Sequence, residues 1–227
     1  RPAALTVPAR HGVVPAIDGE LTEETWKFAA SMPRLIYGNF PEKSGSLPPH
    51  GFKVTYDDKN FYCAFTTAFP GGAPLRQGNL RTQESEPEVW GSESFELYLE
   101  VGKNLYRFAG NVAGGTTEWR GVDARWDGAW EYKTILKMRI DDSLLWSGEI
   151  AIPWSTLELS GPPREGIGFN FCRSWKLPEV GTHSSLNYNG KQYDENLVKL
   201  TFGPAPTLQI LDQNDPGTGE YTEEFAL

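Results

Sequence analysis

The stretch SESFELYLEVGKNLYRFAGNV, Ser92–Val112, decides how this chain is read. Phe95, Leu97, Leu99 and Val101 alternate with Ser94, Glu96, Tyr98 and Glu100, a period of two that an extended strand turns into one apolar and one polar face. Beyond the turn-forming EVGKNL, Tyr106, Phe108 and Val112 share one side, and Leu105, Arg107, Ala109 and Asn111 share the other. Paired as a hairpin, the two strands bring Glu96, Tyr98, Arg107 and Asn111 to one outward face. Trp90 stands upstream in an acidic, glycine-bearing loop, outside the strand register, which predicts a place at the rim of the sheet.

The same texture runs through the chain. Glycine (24) and proline (17) are dispersed, aromatics reach 13%, and the apolar segments are short and mostly alternating, which is a β signature. Strands are expected near 52–56, 60–68, 94–101, 104–112, 130–140, 145–153, 166–175 and 197–203. The one good helix start is Thr22 in LTEETWKFAA, where Glu23 and Glu24 suit a helix N-terminus and Trp26 can face inward. The fold class read from this is all-β, an antiparallel β-sandwich with one short N-terminal helix. Its core is expected to hold Phe61, Phe65, Phe95, Leu97, Phe108, Ile150, Ile152, Phe169 and Phe171.

A chain of 227 residues suits one large sandwich. Residues 1–203 are read as that domain. Residues 204–227, rich in proline, glycine and acids, are read as a linker or extra strand, with the start of a following domain as a further option. The first residues, Arg1-Pro2, suggest a piece cut from something longer. With 30 acidic against 21 basic residues, the charge of −9 argues against nucleic acid and against an anionic membrane surface as partners. No apolar run approaches the ~20 residues that span a bilayer, so no membrane insertion is expected.

The catalytic patterns are missing. Glu93 and Glu96, three apart on a strand, point to opposite faces, and Glu96 and Glu100 share a face but lie ~13 Å apart, beyond either glycosidase geometry. There is no G-x-S-x-G, no H-E-x-x-H and no phosphate-cradling glycine loop. His11, His50 and His183 are scattered in loop-like contexts and read as solvated. YDDKN reads as a strand-joining turn. Cys63 and Cys172 lie in apolar strands and read as buried thiols, a disulfide between them staying open. The outward face of the hairpin is the more informative set. Acceptors, donors and aromatics together suit a neutral polyol, whose C–H faces lie on rings and whose hydroxyls bond to carboxylate, amide and guanidinium. By parity alone the plainer reading leads: a solvated face on which Glu96 and Arg107 form an ordinary ion pair.

PAIDGELTEETWKFAA, FKVTYDDKNFYCAF, VWGSESFELYLE, YRFAGNVAGG, WSGEIAIPWSTL, GIGFNFCRSW and KLTFG follow one another over residues 15–203 in an order that resembles family 9 carbohydrate-binding modules and related β-sandwiches. The resemblance implies a non-catalytic module that binds a sugar or polysaccharide, carried as an accessory domain of a secreted or cell-surface protein. Carbohydrate and other domains of the same polypeptide would be its partners. By position, Trp90 matches the family tryptophan that stacks on a sugar at a chain end. Glu96 and Asn111 match the residues that hydrogen-bond its hydroxyls. The family arginine falls on Ala109, with Arg107 on the same face as its substitute. Where a second tryptophan closes the family's aromatic sandwich, this chain has Leu186, with Tyr188 and Tyr193 nearby. Structural calcium is implied as a cofactor. The alternative is an interaction module of the same fold that has lost sugar binding and packs against a neighbouring catalytic domain.

Overall fold

In the computed structural model, residues 4–32, 35–37, 50–69, 89–90, 93–138, 144–174, 183–185 and 197–206 are described. The strands are β1 (Leu5–Pro8), β2 (Ala30–Ser31), β3 (Ile36–Tyr37), β4 (His50–Tyr56), β5 (Asn60–Phe69), β6 (Ser94–Val101) and β7 (Asn104–Asn111). They continue as β8 (Thr116–Arg120), β9 (Glu131–Met138), β10 (Leu144–Pro153), β11 (Ile167–Ser174), β12 (His183–Ser185) and β13 (Val198–Gly203). Helix α1 spans Glu24–Phe28. One sheet runs β2-β4-β5-β10-β9. The other runs β1-β13-β11-β6-β7-β8, with β12 pairing both β11 and β3.

Among the described strands every pairing is antiparallel except β1 with β13, whose parallel register sets Val7 beside Phe202. The eight expected strands are present with ends shifted by one or two residues. The short strands β1, β2, β3, β8 and β12 were not expected, because two- to five-residue strands carry too few alternations to show a period.

The apolar faces of the two sheets meet in one core. Phe52, Val54, Phe61, Cys63, Phe65, Ile150 and Ile152 come from one side, and Phe95, Leu97, Leu99, Phe108, Phe169 and Phe171 from the other. Every residue expected in the core is there. Gly110 and Gly148 face inward as well, under the rings. A Cβ built on Gly148 would stand 2.5 Å from Phe65 Cζ, and one on Gly110 would stand 2.7 Å from Phe95 Cε1. Rings approach the backbone this closely only where no side chain stands between them. Gly148→Ala is therefore expected to lower the unfolding free energy by about 1–3 kcal/mol, the usual cost of overpacking, as read by urea denaturation.

Helix α1 is too short to stand on propensity. Trp26 holds it, packing with Tyr62, Ala64 and Ala151 on the outer face of the β5–β10 pair while Ile17, Leu21 and Ala29 close round it. The N-cap is Glu23 and not Thr22, and its side chain makes no capping bond, because the carboxylate instead accepts from Ala16 N–H at 2.9 Å. One outer face of the sandwich is thus covered by the N-terminal segment.

Both cysteines are buried thiols, as expected, whereas His11 and His50 differ from expectation. β5 turns Cys63 into the core, whereas Cys172 shares the outward face of Glu96, so no disulfide joins them. His50 opens β4 and its Nε2 accepts from Leu35 N–H at 3.0 Å, and His11 packs on Phe28 with ring centroids 4.4 Å apart. Neither is a freely solvated ring. In YDDKN, Asp57 accepts from Lys59 and Asn60 N–H, from Tyr62 OH and from Arg10, which accounts for the turn.

Candidate functional site

The register of β8, β7, β6 and β11 sorts their outward side chains into rows across the sheet. Trp119, Arg107, Tyr98 and Asn170 form one row. Thr117, Ala109, Glu96 and Cys172 form the next, and Asn111, Ser94 and Ser174 the third. This is the polar face expected from strand parity, widened by a strand on either side of the hairpin.

At its centre Glu96 is only 8% exposed. Arg107 Nη2 lies 2.8 Å from Glu96 Oε2. The pair is diagonal, since Glu96 sits opposite Ala109, and the absence of a long side chain there opens the route between them. Tyr98 OH also donates to Glu96 Oε2. Burial and then the Glu96 charge push the Tyr98 phenol well above its ordinary pKa, so it stays a donor. Both donors converge on one oxygen, and Glu96 Oε1 has no hydrogen-bond partner among the described residues.

Arg107 also faces aromatic rings. Its Cζ is 4.7 Å from the Trp90 centroid and 4.6 Å from that of Trp119, and the two rings are 6.1 Å apart and 26° from parallel. Trp90 is half-buried at the rim, anchored by the buried Val89 before it. Trp119 was missed in the sequence because β8 was not expected. The clue was the parity of TTEWR, which puts Trp119 on the side of Thr117 and opposite Glu118.

Asn111 lies on the expected face but does not reach the centre of the site. Its Oδ1 accepts from Ala113 N–H at 3.1 Å and Gly115 N–H at 2.8 Å, which turns the carboxamide into the β7–β8 turn. The side chain satisfies the tight turn first. Its Nδ2 is buried without a hydrogen-bond partner among the described residues, as are Ser94 Oγ, Thr117 Oγ1 and Arg107 Nε. Tyr188 and Tyr193 lie outside the described residues, as does 207–227 of the expected linker. Among the described residues no group of three or more His, Cys, Asp or Glu is placed to hold a metal, and none of their helices is long and apolar enough to cross a membrane.

The crystal structure of a presumed carbohydrate-binding protein from Bacteroides uniformis aligns with TM-score 0.64 and 17% identity, over 88% of this chain and 99% of that one. A family 9 carbohydrate-binding module from Caldicellulosiruptor kristjanssonii, solved with cellotriose, aligns with TM-score 0.52 and 14% identity, over 93% of this chain and 99% of that one. In fold, this chain resembles a family 9 module. No protein-family description matches its sequence, and no curated protein does either. The likeness is carried by the strand framework, which survives extensive substitution as long as inward positions stay apolar.

Proposed function

We propose that this chain is a non-catalytic carbohydrate-binding β-sandwich that takes a neutral sugar on the outward face of β6–β8. The observation that carries the reading is the chain of contacts from Trp90 to Arg107 to Glu96. It sets an aromatic ring beside a nearly buried carboxylate that keeps one oxygen for a hydroxyl. Arg107 offsets the Glu96 charge, which suits an uncharged polyol. A ligand rich in hydroxyls can donate to the Glu96 oxygen that neither Arg107 nor Tyr98 engages. The fold likeness to a module solved with cellotriose supports this reading.

Catalysis is not part of the proposal. Glu93 turns into the sandwich to meet Arg173, away from Glu96, and Glu96 is tied to Arg107, so these two acids do not flank one bond. A secreted or cell-surface setting, as an accessory domain beside others of the same polypeptide, follows from the function proposed. Structural calcium remains a proposal from the resemblance, its ligands to be sought outside the described residues.

A glycan array followed by calorimetric titration tests the reading. Trp90→Ala is expected to weaken binding roughly five- to 150-fold, the loss of about 1–3 kcal/mol of stacked apolar area, with little change in melting temperature. Glu96→Gln should also weaken it, by exchanging a charged acceptor for an amide. Silence of the array towards every sugar would remove the proposal and favour an interaction module.

A further inference from the structure

We propose that Trp119 is a positioning residue of the sugar site, holding the Trp90 ring in the plane on which the sugar lies. The inference rests on the carbohydrate reading above. The Trp90 ring has two partners among the described residues: Trp119, 6.1 Å away between centroids, and the Arg107 guanidinium, 4.7 Å from its centroid. Trp119 meets the same guanidinium at 4.6 Å. Both tethers of Trp90 therefore run to β7 and β8, strands that lie next to each other in the hydrogen-bonded sheet.

The spacing decides what Trp119 does. A pyranose held between two rings needs a van der Waals gap of about 3.5–4 Å on each side, roughly 7–8 Å in all. At 6.1 Å the pair cannot admit one. Trp119 is thus a backing for Trp90 and not the opposite jaw of a clamp, and the sugar meets Trp90 on the face turned away from it. Arg107 completes the support and ties it to the hydrogen-bonding end of the site, because the same guanidinium is bound to Glu96 at 2.8 Å. Removing Trp119 leaves Trp90 with one partner and frees its ring to rotate, so affinity falls through lost preorganisation while the ring itself stays present.

The test uses the whole chain, with cellotriose, xylotriose and mannotriose as probes, and affinity electrophoresis to follow weak variants. Trp119→Ala should lose roughly five- to fifty-fold in affinity, whereas Trp119→Phe, which still stacks, should stay within about threefold of the wild type. In a Trp90→Ala background, Trp119→Ala should cost nothing further, since a backing without its platform has no role. Near-ultraviolet circular dichroism from the paired indoles should disappear equally in Trp90→Ala and Trp119→Ala. Wild-type affinity in Trp119→Ala would overturn the inference while leaving Trp90 and Glu96 as binding residues. An undiminished loss in the Trp90→Ala background would also overturn it, by showing that Trp119 touches the sugar itself. Failure of Phe to rescue, with a fall in melting temperature, would make the role structural only. Absence of binding by the wild type to all three sugars would remove the carbohydrate reading and this inference with it.

Discussion

Arg173→Met is expected to destabilise the fold by about 3–5 kcal/mol, the cost of leaving a buried charge without its partner. Arg173 and Glu93 are both 0% exposed, with Arg173 Nη2 2.5 Å from Glu93 Oε2. The guanidinium also lies over the Trp146 ring at 4.4 Å and donates to Ser94 C=O at 3.2 Å. Burial draws the Arg173 pKa below the usual guanidinium value, and the Glu93 charge pulls it back up. Each charge offsets much of the desolvation cost of the other. Replacing both, as Glu93→Gln with Arg173→Met, should recover a large part of the loss, because no unpaired ion remains. Guanidinium chloride denaturation of the two single variants and the double variant checks this. Equal losses in all three would mean that the pair is not coupled. Glu93 lies three residues after Trp90, and its C=O accepts from Val112 N–H, so the pair also fixes the chain just before β6. On the proposed carbohydrate reading, weaker sugar binding is expected to accompany the stability loss.

Stability is also expected to fall between pH 4.5 and about pH 7 through Glu149. Burial is the main cause that raises its acid from 4.5 to about 7, with Glu23 adding to it, and donors from Asp18 N–H, Gly19 N–H and Trp26 Nε1–H only partly offset that. Because the folded value lies above the unfolded one, the folded chain holds a proton that the unfolded chain has released. The contribution is therefore fully present below pH 4.5 and lost as pH rises through about 7, on the order of 3 kcal/mol in all. Asp57 acts in another window. Burial alone would raise its pKa, but its hydrogen bonds outweigh that and hold it below 3.8, so its contribution is lost only as pH falls further. Melting temperatures across pH 4.5–8, compared with Glu149→Gln, test the assignment. The variant should lose the slope in this window, and an unchanged slope would sink it.

The physical role of Glu149 explains why such a group is kept. Its Oε2 accepts from Asp18 and Gly19 N–H at 2.9 and 2.8 Å, and its Oε1 from Trp26 Nε1–H at 2.7 Å. One carboxylate thus pins the N-terminal loop and the helix to the outer face of β10. In the sequence Glu149 is merely a polar residue in the run WSGEIAIP. Its partners lie over 120 residues away, and no local pattern announces them.

The range of each interaction separates what the residues alone reveal from what they do not. The alternation of Phe95, Leu97 and Leu99, or of Phe61, Cys63 and Phe65, needs only the two-residue period of a strand and the gain from burying apolar area. It was therefore legible, and with it the sandwich and its core. The same parity placed Glu96, Tyr98 and Arg107 on one face, because a strand cannot turn one of them inward without turning its neighbours too. What parity cannot express is competition for a side chain. Asn111 is on the correct face, yet two backbone N–H groups of its own turn claim its carbonyl oxygen. Trp119 was invisible for a different reason. A five-residue strand shows little periodicity, and its meaning comes from the neighbour that β7 supplies. Local periodicity, acting over two to eight residues, thus set fold class, core and the polar face. Only the tertiary structure, by bringing Trp90, Arg107 and Trp119 within about 6 Å and burying Glu93 with Arg173 and Glu149 with Trp26, decided which side chains are engaged and which atoms remain for a ligand. Such contacts depend on distances between distant parts of the chain, which no single strand's pattern encodes.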